Sequence, residues 1–270
     1  MNGESPDLLV RSRSALLDAA EALGTQRGSV IVIGAQAVYL HTGSLRVALA
    51  EATKDSDVVL DPRLLHEDPL IEDAMKEAGF VPTDQPGSWV TSDGVLVDLM
   101  VPEALAGSGG RRGARIPPHG NRAARRAVGL EAALVDNHLM SVSALAADDP
   151  REVTLKVAGP AALMVAKMHK IAERLGGPRS NDKDAHDVYR LFRQFETDEL
   201  TDPFTRLLAD DVSAEVTELA LQHVGSLLAT GPEAEASVMA GRAEAGVGNP
   251  EEVSASVAFL AADLMEALGR

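Results

Sequence analysis

The sequence predicts an α/β (α+β) fold, a mixed sheet with flanking helices followed by a helical C-terminal domain. Three observations carry this expectation. Short β-branched runs bounded by glycine, proline or charge recur through the first 158 residues. Segments with leucine and alanine at helical spacing alternate with those runs. From Pro160 onward only helical spacing remains, interrupted at Gly176-Gly177-Pro178, Gly231-Pro232 and Gly248-Asn249-Pro250. The expected division is a first domain over 1–158 and a second over 159–270.

The elements follow in order. Residues 6–23 read as a helix, and Gly28 introduces the buried strand Ser29-Val30-Ile31-Val32-Ile33, closed by Gly34. A second helix starts directly on that glycine, where a backbone without Cβ permits close approach. The run Thr53-Lys54-Asp55-Ser56-Asp57-Val58-Val59-Leu60 is a strand entered from a polar end, and Pro62 closes it. A helix is expected over 66–78, a short strand around Trp89, and a strand over 95–101 after the turn at Gly94. There Val95, Val97, Leu99 and Val101 share one face, and Leu96, Asp98 and Met100 the other. The stretch 107–129, rich in glycine, arginine and proline, reads as a mobile excursion outside the core. Strands follow over 138–144 and 153–157. In the last helix Val253, Val257, Leu260, Leu264 and Leu268 form one apolar stripe.

With 45% hydrophobic residues, the 270-residue chain is long enough for one large core or two modest ones. Neither a basic-then-apolar leader nor eighteen consecutive apolar residues is present, so a cytoplasmic protein with no membrane partner is expected. Without cysteine, disulfides, thiolate metal sites and cysteine nucleophiles are excluded, and any metal must be held by carboxylate or histidine. Oxygen ligands point to Mg2+ or Mn2+. A formal net charge of −16 argues against a broad nucleic-acid-coating surface. Yet 104–130 contains no acid and holds Arg111, Arg112, Arg115, Arg122, Arg125 and Arg126, six of the 25 Lys and Arg. This segment can hold phosphates of a nucleic-acid acceptor or simply be a solvated loop; it lacks the aromatics of a base reader.

Asp55 and Asp57, two apart on an extended segment, project from one face with α-carbons about 7 Å apart. Carboxylates at about 5 Å repel by roughly 3 kcal/mol at an effective dielectric of 20, and a shared divalent cation resolves that repulsion. Asp98, on a neighbouring strand, completes such a cluster. Asp-x-Asp alone is common in solvated acidic segments; the strand-glycine-helix unit before it and the strand aspartate after it give it weight. In the helix from Pro160, Met164, Met168, Ile171 and Leu175 form an apolar stripe flanked by Lys167, Lys170 and Arg174. These cations either snorkel at a packed edge or reach an anionic ligand. Among Asp182, Asp184 and Asp187, the first reads as a helix cap, and Lys183 as an i,i+4 partner of Asp187. His41 and His169 read as structural. His186-Asp187 lacks further histidines for a phosphohydrolase metal set.

The run Val32-Ile33-Gly34-Ala35-Gln36-Ala37, then Thr53-Lys54-Asp55-Ser56-Asp57 and Val97-Asp98-Leu99, resembles the DNA-polymerase-β-like nucleotidyltransferase superfamily. A second block, Gly159-Pro160 through Lys167 and then Asp182-Lys183-Asp184-Ala185-His186-Asp187, is similar to its AbiEii-type toxin branch. The resemblance implies a nucleotidyltransferase-type mixed sheet whose first domain is catalytic and whose helical domain completes the nucleotide cleft. It implies Asp55, Asp57 and Asp98 as catalytic metal ligands, Asp184 and Asp187 as later acids, and Gly34, Ala35, Lys167 and Lys183 as nucleotide contacts. The cofactor is then Mg2+ or Mn2+ with a nucleoside triphosphate as substrate. Two positions depart from the family pattern: Ala35 where a second glycine or small polar residue is usual, and Glu51 where an arginine is usual, with Arg46 as its candidate substitute.

The leading expectation is a metal-dependent enzyme moving a nucleotide to an acceptor such as the 3′ end of transfer RNA, in a toxin or phage-defence setting with a cognate antitoxin. Two others stay open: transfer to a small aminoglycoside-like acceptor, and a catalytically degenerate module that holds a partner protein.

Overall fold

The computed structural model describes residues 4–43, 55–108, 112–178 and 180–270. Glu51, Arg46 and Arg111 lie outside the described residues. The chain forms two compact units, Met1–Ala37 with Ala52–Ala158, and Val38–Glu51 with Gly159–Arg270.

In the first unit, helix α1 (Glu4–Ala22) leads into strand β1 (Val30–Ile33) and the start of helix α2 (Gly34–Thr42), whose residues from Val38 on belong to the second unit. Strand β2 (Asp55–Leu60), helix α3 (Ile71–Glu77) and strands β3 (Val81–Pro82), β4 (Ser88–Val90) and β5 (Leu96–Pro102) follow. Strands β6 (Arg125–Ala127), β7 (Asn137–Ser143) and β8 (Glu152–Ala158) complete a mixed sheet of order β3-β4-β5-β2-β1-β8-β7, with β6 added to β5. All four residues of β1 are buried, because a central strand with both neighbours paired and both faces covered has no place for a polar side chain. Its antiparallel register with β2 sets Ile33 opposite Asp57, and the parallel register of β2 with β5 sets Asp57 opposite Asp98.

Helix α1 packs against β2 and β5 through Ala15, Leu16, Leu17, Ala19 and Ala20. A buried polar relay locks it in rotation: Arg13 Nε donates to Gln36 Oε1 at 2.9 Å, Gln36 Nε2 to Ser12 Oγ at 2.8 Å, and Ser56 Oγ to the Ser12 carbonyl at 2.7 Å. Each buried polar atom left without a partner here would cost about 1–3 kcal/mol, so the relay fixes how the α2 start and β2 meet α1.

Two expectations need correction in this unit. Helix α3 begins at Ile71 rather than 66, because Gln26 holds the preceding backbone extended, donating to the carbonyls of His66 and Pro69 and accepting from the His66 N–H. The excursion over 107–129 is part of the core in its described residues. Ala114, Ile116, His119, Ala123 and Ala124 are buried, Trp89 Nε1 donates to the Ala123 carbonyl at 3.0 Å, and Gly87 N–H donates to the Arg122 carbonyl at 2.9 Å. Its glycines and prolines mark turns, and the small apolar residues between them fill the space beside Trp89.

The second unit is helical: α4 (Pro160–Arg174), α5 (Asp182–Gln194), α6 (Thr197–Ala209), α7 (Ala214–Leu227), α8 (Glu235–Ala243) and α9 (Pro250–Ala267). Helix α5 packs against α4 and α8, and α9 against α8 and α6, around Met164, Met168, Val188, Leu191, Phe204, Leu207, Leu221 and Leu264. The buried face of α9 is turned from the expected stripe. It uses Val253, Val257, Ala258, Ala261 and Leu264 and leaves Leu260 and Leu268 partly open, since the two alanines allow close helix approach. No helix among the described residues is long and apolar enough to cross a membrane.

Candidate active site

On β2 the alternation is clean: Ser56 and Val58 are buried, whereas Asp55 and Asp57 stand partly exposed on the other face. Asp57 faces the turn between β1 and α2. Gly34 has φ +72° there, and a Cβ on it would lie 2.2 Å from Asp57 Oδ2. The glycine is thus required twice, by a left-handed backbone and by the carboxylate resting on its α-carbon. Gly34 and Ala35 open α2, whose first-turn N–H groups have no intrahelical acceptors and point toward any bound anion.

Asp98 enters from β5, opposite Asp57 on one side and Ser88 of β4 on the other. Because paired residues on adjacent strands share a face, Asp55, Asp57 and Asp98 all project to one side of the sheet. Their chemical type suits a hard divalent cation that takes oxygen donors. The side chains themselves are not gathered: among the described residues no group of three or more His, Cys, Asp or Glu is arranged to hold a metal ion. Arg125 of β6 donates to Asp98 Oδ2 from Nε at 3.3 Å and Nη2 at 3.1 Å. That partner was not legible in the sequence, since it depends on β6 joining β5 across a segment read as a loop.

The helical unit holds an ionic cluster of its own residues. Lys167 Nζ donates to Asp184 Oδ1 at 2.9 Å and to Asp187 Oδ2 at 2.5 Å, with all three side chains buried. Lys170 adds a second contact to Asp184 at 2.9 Å, and Arg174 approaches it at 4.0 Å. The basic stripe of α4 therefore faces the acids of α5. Burial alone would push the Lys167 ammonium toward deprotonation; Asp184 and Asp187 more than reverse this and hold its pKa above the usual lysine range. Burial would likewise raise Asp184, but Lys167 and Lys170 hold its carboxyl below the ordinary value of 3.8. Asp187 is thus held by Lys167, and the Lys183 backbone N–H donates to Asn181 Oδ1 at 3.0 Å.

The linkage has a definite sign. A depressed carboxyl contributes stability above its unfolded pKa and loses it as pH falls through the folded value. The Asp184 contribution is complete at neutral pH and drains below 3.8, and the raised lysine contribution is lost only as pH rises past 10.5 toward its folded value. Asp184→Asn is expected to lower stability at pH 7 and to flatten the decline below about pH 4. Urea denaturation at a series of pH values checks this; equal acid slopes for the two proteins would contradict the cluster's role.

Other acids and histidines go elsewhere. Asn181 is the N-cap of α5; Asp182 lies in the first turn as expected and in addition makes a bidentate pair with Arg242 at 2.9 and 2.7 Å. His186 is fully buried with Nε2 2.7 Å from Glu244 Oε1, an arrangement of structural kind. His41 sits edge-on to Phe195, and His169 Nε2 lies 2.7 Å from the Val216 carbonyl. Arg190, also missed, donates to the Thr42 carbonyl at 3.1 Å and so satisfies an acceptor at the end of α2.

The family model described as Nucleotidyltransferase matches residues 11–211. No curated protein matches the chain. Among solved structures, the chain is similar to an antigenic nucleotidyltransferase-like protein from Paracoccidioides brasiliensis, at 15% identity and a TM-score of 0.40 over 80% of this chain and 94% of that one. Because the family match runs through both the aspartate strands and the lysine-aspartate helices and takes in most of the sequence, this chain belongs to the nucleotidyltransferase family.

Proposed function

We propose that the protein is a divalent-metal-dependent nucleotidyltransferase that moves a nucleoside monophosphate from a triphosphate to an acceptor hydroxyl. The observation that carries this is the common face shared by Asp55, Asp57 and Asp98 beside the Gly34 turn. In the reaction the acceptor oxygen forms a bond to the α-phosphorus, the bond to the bridging oxygen breaks, and pyrophosphate leaves with its electron pair. Asp55, Asp57 and Asp98 are the residues that would hold Mg2+ or Mn2+. A bound divalent ion supplies charge neutralisation and polarisation of the phosphate oxygens. The chain's own contribution begins with the first-turn N–H groups of α2, which receive phosphate oxygens without reorganising. Asp98 takes the proton lost by the acceptor hydroxyl.

For the acceptor, the acid-free arginine segment supports a polyanion held by its backbone, the 3′ end of transfer RNA by the AbiEii-type resemblance. Arg112, Arg115 and Arg122 are exposed on that folded segment. On the same resemblance the protein acts as a toxin or phage-defence factor with a cognate antitoxin. A catalytically degenerate, partner-binding module is the second reading, favoured by Ala35 at the α2 start and by Glu51.

Titration calorimetry of the four ribonucleoside triphosphates with Mg2+ tests the proposal. Wild-type protein is expected to bind at least one of them in a Mg2+-dependent way, and Asp57→Asn to lose that binding. Transfer of α-phosphate label to RNA, rather than to an aminoglycoside, then assigns the acceptor class. No binding of any triphosphate to the wild type moves the reading to the partner-binding module.

A further inference from the structure

The contact between Arg125 and Asp98 is set by the backbone. Parallel pairing of β6 with β5 puts Arg125 beside Met100, two residues beyond Asp98 on the same face, so the guanidinium folds back along the sheet onto the carboxylate. The short strand that carries it is fixed. Gly113 bridges Arg125, the Arg126 N–H donates to the Arg112 carbonyl at 2.9 Å, and Gly87, with φ +75°, packs so closely that a Cβ there would lie 2.3 Å from the Arg125 nitrogen. The side chains are only partly covered, at 30% exposure for Arg125 and 20% for Asp98. Both donors go to one oxygen instead of forking across the carboxylate, which is the weaker geometry for such a pair. A partly exposed pair of this geometry contributes modestly, and a divalent ion offers the carboxylate twice the charge.

We infer that Arg125 is a positioning residue that competes with the divalent cation for Asp98. Without nucleotide it occupies the Asp98 carboxylate. When a metal-bound triphosphate arrives, the carboxylate exchanges its partner and the freed guanidinium turns to a phosphate oxygen. Metal and nucleotide are then taken up together, and the free protein holds the ion weakly. This inference rests on the proposed transferase reading.

The test is Mn2+ binding followed by the electron paramagnetic resonance signal of the free ion, on full-length protein with and without a non-hydrolysable triphosphate. Arg125→Gln is expected to bind Mn2+ about fivefold more tightly than wild type in the absence of nucleotide. With nucleotide the advantage shrinks or reverses, since the phosphate contact is gone. Arg125→Lys, which keeps the charge on a flexible stem, is expected to restore near-wild-type Mn2+ affinity. A thermal melt of each variant separates these effects from loss of fold. A purely structural arginine would shift the melts of both variants and leave nucleotide-free Mn2+ affinity unchanged or lower, and that result overturns the inference. If Asp57→Asn abolishes Mn2+ binding while Arg125 variants match wild type, the transferase site stands and Arg125 has no part in it. If no variant and no wild-type sample binds Mn2+ even with nucleotide, both readings fall.

Discussion

Lys167→Met is expected to lower the unfolding free energy by about 3–5 kcal/mol, the usual cost of removing one partner from a buried ion pair. The ammonium is enclosed with Asp184 and Asp187, whose side chains are almost wholly buried. Methionine keeps the length and flexibility of the stem, so the loss reports charge and not volume. Asp184 retains Lys170 and Arg174, and Asp187 keeps the electrostatic attraction of Arg190. Removing both ends, as Lys167→Met with Asp187→Leu, is expected to recover part of the loss. Urea denaturation followed by far-ultraviolet circular dichroism measures both variants. A single variant within about 1 kcal/mol of wild type would place the cluster among solvated ion pairs instead.

Gly34→Ala is expected to abolish Mg2+-triphosphate binding and to cost about 1–2 kcal/mol from the left-handed backbone alone. The added methyl would also lie 2.2 Å from Asp57 Oδ2, a distance that forces the carboxylate off its place. The discriminating companion is Ala35→Gly, which restores the small residue usual in the family pattern. It is expected to bind triphosphate at least as tightly as wild type, since no side chain then stands over the first turn of α2. Calorimetry on the two variants decides: retained binding in Gly34→Ala would remove the turn from the site.

Much of this arrangement was legible in the sequence where one local rule acted without competition. The β1 run, the Asp-x-Asp strand and the strand bearing Asp98 each carry a hydrophobic pattern with period or run length that only one element satisfies, and the helical second half is punctuated by glycine and proline. The segment over 107–129 was misread because its glycines and arginines look solvated one at a time; the small side chains packed beside Trp89 gain their burial only once β4 and β5 exist. Arg125 was illegible as a partner of Asp98 for the same reason, since pairing across 27 residues is a matter of tertiary register. Asp182 was read only as a helix cap and Asp187 only with a neighbour in sequence, whereas Arg242 and Lys167 reach them from other helices.

The register of β5 carries a consequence for how this protein tolerates change. Val97, Leu99 and Val101 are wholly buried on the face opposite Asp98. Sliding β5 by one residue against β2 would turn those three outward and Asp98 inward, at a cost of several kcal/mol in exposed apolar surface. The placement of the acid is thus guarded by side chains that take no part in chemistry. Mutation can exchange the partly exposed aspartates without disturbing this buried face, so the sheet can persist in their absence.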